Sequence, residues 1–360
     1  AFEETLLTAT VDLEDITKAR ADSPLLSDMR TMLPKLRSEL DRSLDGRPAS
    51  SEERQLSSGN SQSPAVNNGK AKTTAAALSV VSNGDKSRGV PPALEIDGAL
   101  VESWLVTFLR EEFARRGFKK AVVGVSGGVD SAVVATLAAR ALGPKNVIGV
   151  RMPYRTSSPD SLTHAQRLID SLGIESRTLD ISAAVDGYLQ QEPEADAARR
   201  GNVMARVRTI ALFDLSARHH ALPLGTGNKS ERLLGYFTWH ADDSPPVNPI
   251  GDLFKTQVWA LARHLGVPAE IIDKPASADL VSGQTDEGDF GISYAKADVI
   301  LNWLLNGYSP AELAGRGFDA GEVELVRKRL DGTHWKRKLP TVAMVSGAAI
   351  GESYLRPVDY

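Results

Sequence analysis

The sequence contains no cysteine. That excludes thiol nucleophiles, disulfides and cysteine-held metals, and it makes the cytoplasm the expected compartment. It also has no basic excess. Lys and Arg number 42 against 46 Asp and Glu, for a net charge of −4. Neither nucleic acid nor a membrane surface is therefore an expected partner. No apolar run approaches the roughly 20 residues of a membrane span. The opening "AFEETLLTAT" lacks the basic and apolar regions of a secretory signal. It lacks an initiator Met too, which fits either a trimmed start or a piece of a longer chain. The six histidines form no ligand-spaced cluster; His219-His220 ends a long helix, where imidazole suits the dipole.

The 360 residues divide into three zones. Residues 1–45 read as structured, with "TLLTATVDL" a strand and "EDITKARADSP" a short helix stopped at Pro24. Residues 46–92 are rich in Ser, Asn, Gly, Ala and Lys and have no aromatic. Such a stretch cannot offset the entropy of ordering, so it reads as a flexible linker. From Ala93 to residue 360 the pattern is dense and globular, with no internal repeat.

That third zone alternates strand and helix. "AVVGV" (Ala121–Val125) is a continuous apolar run, as a strand buried on both faces requires. The next helix sets Val133, Val134, Leu137, Ala138 and Ala141 on one face. "NVIGVRM" (Asn146–Met152) predicts a second strand, followed by a helix over about 158–172 and a third strand near 176–181. A long helix over about 201–219 leads to "ALPLG" (Ala221–Gly225), a fourth strand despite its proline. The order implies an α/β fold: a parallel, doubly wound sheet with helices on both faces. Ligands in such sheets bind at the carboxyl ends of the strands.

Three stretches there carry chemistry. In "SGGVDS" (Ser126–Ser131) two glycines allow a sharp turn and close backbone approach, and the following helix adds its positive end. Asp130 would repel bare phosphate, so it makes sense beside a divalent cation such as Mg²⁺, which takes one or two carboxylates plus phosphate oxygens. The plainer alternative is a glycine turn with an Asp cap. "LPLGTGNKSERLLGYFT" (Leu222–Thr238) repeats the logic, with Glu231 either a second metal carboxylate or a surface residue of a helix's first turns. "NPIGDLFKTQVWALARHLGVP" puts Lys255 at a helix start, against the dipole. Either something anionic compensates it or it is a solvated surface lysine. The long polar loop "KPASADLVSGQTDE" has the length of functional loops.

In this order, SGGVDS, GNVMARVRTI, LGTGNKSE, GYFT, NPIGDLFKTQV, KPASADL and GQTDE resemble NAD synthetase, a member of the ATP pyrophosphatase group with an adenine nucleotide alpha hydrolase-like fold. The resemblance runs from about Leu94 to Pro340. The SGGxDS turn alone is shared with GMP synthetase, asparagine synthetase and tRNA-modifying relatives; the later blocks single out NAD synthetase. It implies that ATP adenylates the nicotinate carboxylate of deamido-NAD and that ammonia then displaces AMP to give NAD. It implies that Gly124, Val125, Ser126, Gly127, Gly128, Val129, Asp130 and Ser131 hold the departing phosphates, and that Asp130 and Glu231 ligate Mg²⁺. Arg151, Thr226, Lys255 and Ser277 match contacts to ATP, and Arg206 and Lys336 match contacts to deamido-NAD. By the same resemblance, Asp130 and Lys255 carry the catalytic roles.

Three positions depart from the family pattern, all on the dinucleotide side. Trp239 stands where a lysine is usual, and either stacks on the substrate or fills the core. Pro246 replaces an aspartate, and His334-Trp335-Lys336-Arg337 replaces a His-Lys-Arg run. Those departures leave two other readings open: an adenylating amidotransferase acting on another carboxylate, or a nucleotide-binding module without catalysis. The opening "EETLLTATVDLEDITKARADSPLLSDMR" resembles the end of a nitrilase-type glutaminase, which in some NAD synthetases supplies the ammonia. Without cysteine, this chain is not expected to hydrolyse glutamine itself. By resemblance it forms a homodimer.

Overall fold

The computed structural model describes residues 91, 93–277 and 285–338. The elements expected over 1–45 and nearly all of the linker expected over 46–92 lie outside the described residues.

The centre is a sheet of Lys120–Gly124 (β1), Val147–Arg151 (β2), Glu175–Thr178 (β3) and Ala221–Leu224 (β4). Its order is β3-β2-β1-β4, and every pairing is parallel. In register, Val122 lies opposite Ile148 on one side and Pro223 on the other. Pro223 is tolerated because β4 is an edge strand: it pairs with β1 on one side, and on the other only Leu224 bridges, to Val247, among the described residues. Successive residues of β1 serve opposite faces. Ala121 and Val123 belong to the larger core, while Val122 joins Ile148, Val150 and Leu215 in a smaller one. A strand with a core on each side must be apolar throughout, and that explains the unbroken run in the sequence.

Helices cover both faces. Gly98–Arg116 (α1), Val129–Leu142 (α2) and Pro159–Leu172 (α3) contribute to the larger core. In α2, Ala132, Ala135 and Ala138 are wholly buried, and their small side chains let the helix lie close to the sheet. Ser182–Leu189 (α4) precedes Ala197–His219 (α5), which covers the other face against β1 and β4. Burial of each core Val or Leu contributes about 1.5–3 kcal/mol.

The remaining helices divide between the larger core and a second one. These are Lys229–Leu234 (α6), Lys255–Leu265 (α7), Ala269–Ile272 (α8), Asp286–Phe290 (α9), Tyr294–Leu305 (α10), Pro310–Gly315 (α11) and Ala320–Gly332 (α12). Val258, Leu261 and Ala262 of α7 and Ile271 and Ile272 of α8 join the larger core, while Leu234, Phe254, Phe290, Tyr294, Leu301 and Val326 form the second, and Trp259 of α7 packs against both.

The doubly wound sheet is as expected, with shifts at its margins. The third strand is shorter than read, Glu175–Thr178, and the long helix starts earlier, at Ala197. There the Asp196 carboxylate caps α5 by accepting from the Arg199 amide at 2.8 Å. Among the described residues no helix is long and apolar enough to cross a membrane.

Candidate active site

A cavity of about 700 Å³ opens at the carboxyl ends of β1, β2 and β4. Its floor is the turn between β1 and α2. Gly127 there has φ +79°, and a Cβ on it would lie 2.2 Å from the Ser161 carbonyl oxygen in α3. That glycine is needed for packing against α3 rather than for reaching a ligand, and it does not line the cavity. Gly128 does line it, and a Cβ there would meet nothing nearer than Ser126 Oγ at 3.4 Å. The two serines knit the turn. Ser126 N donates to Ser131 Oγ at 3.2 Å, Ser131 Oγ donates to the Gly128 carbonyl at 3.0 Å, and Gly128 N donates to Ser126 Oγ at 3.3 Å. Gly128 caps α2 without a side chain. The positive end of α2 therefore faces the cavity with no side-chain anion of its own cap residue.

Around this floor a buried ionic cluster gathers from three elements. Lys255, the first residue of α7, is 2% exposed. Its Nζ lies 2.5 Å from Asp130 Oδ2 of α2 and 3.2 Å from Glu231 Oε1 of α6. Of the two alternatives for Lys255, the buried and compensated one holds, and the anions are the chain's own. Glu231 is not a surface residue either: its side chain is 17% exposed, as is that of Asp130.

Asn228, wholly buried, joins these pieces. Its Nδ2 donates to Asp130 Oδ1 at 2.9 Å, and its Oδ1 accepts from the Glu231 amide at 2.9 Å. Glu231 Oε2 accepts from the Asn228 amide at 3.2 Å, completing a reciprocal cap of α6. The sequence reading missed Asn228, although N-x-x-E before a helix is that cap's signature. It also missed Asp286, 4% exposed and on the cavity wall. Asp286 Oδ2 accepts from the Tyr294 hydroxyl at 3.0 Å, and Oδ1 is buried without a partner.

Three carboxylates thus face one ammonium. Burial pushes the Glu231 carboxyl up to about 8; Lys255 opposes this, and Asp130 and Asp286 add to it. Burial also raises Asp286. For Lys255, burial works against the charged form, but Asp130, Glu231 and Asp286 outweigh it and hold the ammonium above its usual range. The cluster has spare negative charge and hard oxygen donors on the cavity wall, which suits a divalent cation. Among the described residues no group of three His, Cys, Asp or Glu forms a ready ligand set. Two carboxylates plus oxygens of a bound phosphate are the donors this arrangement offers.

Of the other residues singled out in the sequence, Gly124, Val125, Ser126, Val129, Ser131, Thr226 and Ser277 line the cavity. Arg151 does not; its Nη2 donates to Thr178 Oγ1 at 2.7 Å on β3. Side chains alternate along a strand, so Met152 turns into the cavity and Arg151 turns away. Arg208 of α5 supplies a guanidinium on the cavity wall and donates from Nε to the Met152 carbonyl at 3.2 Å.

Arg206, Trp239 and Lys336 do not line the cavity but meet one another's neighbours around residues 235–240. Arg206 Nη2 donates to the Trp239 carbonyl at 3.1 Å. The Trp239 ring lies 3.9 Å from His240 and 5.3 Å from Trp335, so it is packed on other rings at the surface rather than sunk in a core. Lys336 Nζ donates to the Gly235 carbonyl at 2.7 Å and to that of Phe237. His334 holds the Asp331 carbonyl at 2.6 Å, leaving Trp335 as the residue that meets Trp239.

Comparison with known proteins bears on this site as a whole. A family model described as NAD synthase matches residues 101–340. The chain is 47% identical over 271 residues to the NH(3)-dependent NAD(+) synthetase of Chlorobaculum parvum, covering 75% of this chain and 98% of that protein. Among solved structures, NMN synthetase from Francisella tularensis superposes with a TM-score of 0.62 at 29% identity, covering 69% of this chain and 99% of that one. NH3-dependent NAD synthetase from Campylobacter jejuni gives 0.60 at 32% identity, covering 69% and 100%.

Proposed function

The chain belongs to the NAD synthase family, and on that footing we propose that it joins ammonia to the nicotinate carboxylate of deamido-NAD, driven by ATP, to give NAD, AMP and pyrophosphate. The observation that carries this reading is the meeting of Asp130, Glu231 and Lys255 over a glycine turn in one cavity at the strand ends.

A free carboxylate resists attack by ammonia because it has no good leaving group. Attack of a carboxylate oxygen on the α-phosphorus of ATP breaks the bond to the bridging oxygen and releases pyrophosphate. The acyl-adenylate so formed has AMP as its leaving group. Ammonia's lone pair then adds to the acyl carbon, a proton leaves the nitrogen, and AMP departs. The chain's part is to position and to neutralise. The open start of α2 beyond Gly128 receives the phosphates that leave, and Lys255 opposes the charge that grows on them. A lysine in the turn itself, as γ-phosphate transfer enzymes use, is absent. Asp130 and Glu231 would hold Mg²⁺, which when bound supplies Lewis-acid withdrawal from phosphate oxygens. Thr226 and Ser277 line the same cavity and would contact the nucleotide. Arg206, Trp239 and Lys336 lie outside the cavity and so would act on the far half of the dinucleotide. A homodimer, and an upstream glutaminase as ammonia source, belong to the same proposal.

The test is incubation with ATP, Mg²⁺, ammonium and deamido-NAD, with products identified by mass spectrometry. NAD, AMP and pyrophosphate in equal amounts are expected. The likeness to an NMN synthetase favours one second reading, the same acyl chemistry on the mononucleotide acid. Amidation of nicotinate mononucleotide in preference to deamido-NAD would establish it instead.

A further inference from the structure

We propose that Asp298, which does not line the cavity, is a positioning residue for Lys255 and Glu231, acting through Ser230 and the start of α7. The proposal rests on the reaction above only for its kinetic readout.

The local chemistry of α7 explains why such a residue is needed. Helix starts expose amides that a Ser, Thr, Asp or Asn cap normally satisfies. The cap of α7 is Phe254, whose side chain accepts nothing. Two of its opening amides are instead satisfied from other helices. The Lys255 amide donates to Ser230 Oγ of α6 at 2.8 Å, and the Thr256 amide donates to Asp298 Oδ2 of α10 at 2.9 Å. Ser230 Oγ in turn donates to Asp298 Oδ1 at 2.5 Å, and Thr256 Oγ1 donates to Oδ2 at 2.8 Å. One carboxylate, wholly buried, therefore receives three donors from two helices.

The consequence falls on the ionic cluster. Ser230 immediately precedes Glu231, and the amide it accepts from belongs to Lys255. The Ser230–Asp298 pair sets how far α6 stands from α7, and that fixes where Lys255 Nζ meets Glu231 and Asp130. Buried acceptors that hold two helix ends in register leave little slack, and a displacement of about 1 Å at reacting groups is enough for about a hundredfold loss of rate.

The test uses the full chain with Asp298→Asn, and Ser230→Ala as a milder second variant that removes one link of the chain of bonds. Two readouts are taken on protein shown to be folded by urea unfolding. The first is the proton-exchange rate of the Lys255 ammonium by ¹⁵N NMR, assigned by its loss in Lys255→Arg. The second is kcat and KM for ATP in AMP release. Positioning predicts that exchange speeds up about tenfold or more, and that kcat falls about tenfold or more while KM for ATP stays within about threefold. An unchanged Lys255 exchange rate in both folded variants overturns the proposal, as does an unchanged kcat in both. If the wild-type chain amidates no substrate, the reaction above fails, and the exchange rate of Lys255 still decides whether Asp298 positions it.

Discussion

Lys255 Nζ lies 2.5 Å from Asp130 Oδ2, although 125 positions separate the two residues in the sequence. The contact joins the first turn of α7 to the first turn of α2, two helix starts aimed at one cavity. Helix starts repel cations, and Asp130 with Glu231 is what makes a buried lysine tolerable there. Lys255→Met is expected to leave these carboxylates facing each other. Breaking a buried pair costs about 3–5 kcal/mol, and the partial exposure of Asp130 and Glu231 puts this case at the low end. Urea unfolding checks the stability loss. AMP release by the protein that stays folded is expected to drop at least about a hundredfold.

The two glycines of the turn separate packing from ligand approach. Gly127→Ala places a methyl 2.2 Å from the Ser161 carbonyl and forces a side chain onto φ +79°. The left-handed conformation alone costs about 1–2 kcal/mol, and α3 must move besides. A fall in thermal midpoint together with activity is expected. Gly128→Ala meets only Ser126 Oγ at 3.4 Å, so its thermal midpoint should hold while KM for ATP rises. Calorimetry and initial rates on the pair check this; equal midpoint losses would contradict the assignment.

How much was legible in the sequence follows from which forces are local. β1, its turn and α2 could be read because apolar run, glycines and helical period are adjacent in the chain. The edge strand β3 was placed too late, since "ESRT" is polar and mostly exposed and so has no apolar pattern. Asp130, Glu231 and Lys255 were each visible as candidates, but that the lysine lies between the two carboxylates is a tertiary fact. Arg151 shows the limit most sharply. The resemblance implies a contact to ATP, whereas in this structure Arg151 donates to Thr178 and does not line the cavity. Asp286 lies in the GQTDE block, but its burial and its bond to Tyr294 are tertiary facts, and Asp298 carries no local mark: burial alone distinguishes it from a surface carboxylate.

Asn228→Asp is expected to keep the cap of α6, because a carboxylate accepts from the Glu231 amide as well as the amide oxygen does. It removes the Nδ2 donor and sets a new anion against Asp130. A loss of about 1–3 kcal/mol at neutral pH follows from the lost bond and the repulsion. Repulsion disfavours ionisation of the introduced carboxylate in the folded state. The folded protein then binds more protons than the unfolded one, so the deficit grows with rising pH and shrinks as pH falls toward about 4. Urea midpoints of wild type and variant at several pH values check the sign. A deficit independent of pH would show that the donor's loss, and not charge, is responsible.

Removal of divalent cations separates the ionic cluster from the cation it is proposed to hold. With chelator present, AMP release is expected to stop, while the unfolding free energy from urea melts stays within about 0.5 kcal/mol, since Lys255 already bridges Asp130 and Glu231. Asp130→Asn keeps the side chain's size but gives up the charge. It should demand a Mg²⁺ concentration about tenfold higher for half-maximal rate, because a neutral amide is a poor ligand for a hard cation. A Mg²⁺ titration of AMP release in the two proteins measures this directly. An unchanged half-maximal concentration would take Asp130 out of the metal's coordination and leave it as the partner of Lys255 alone.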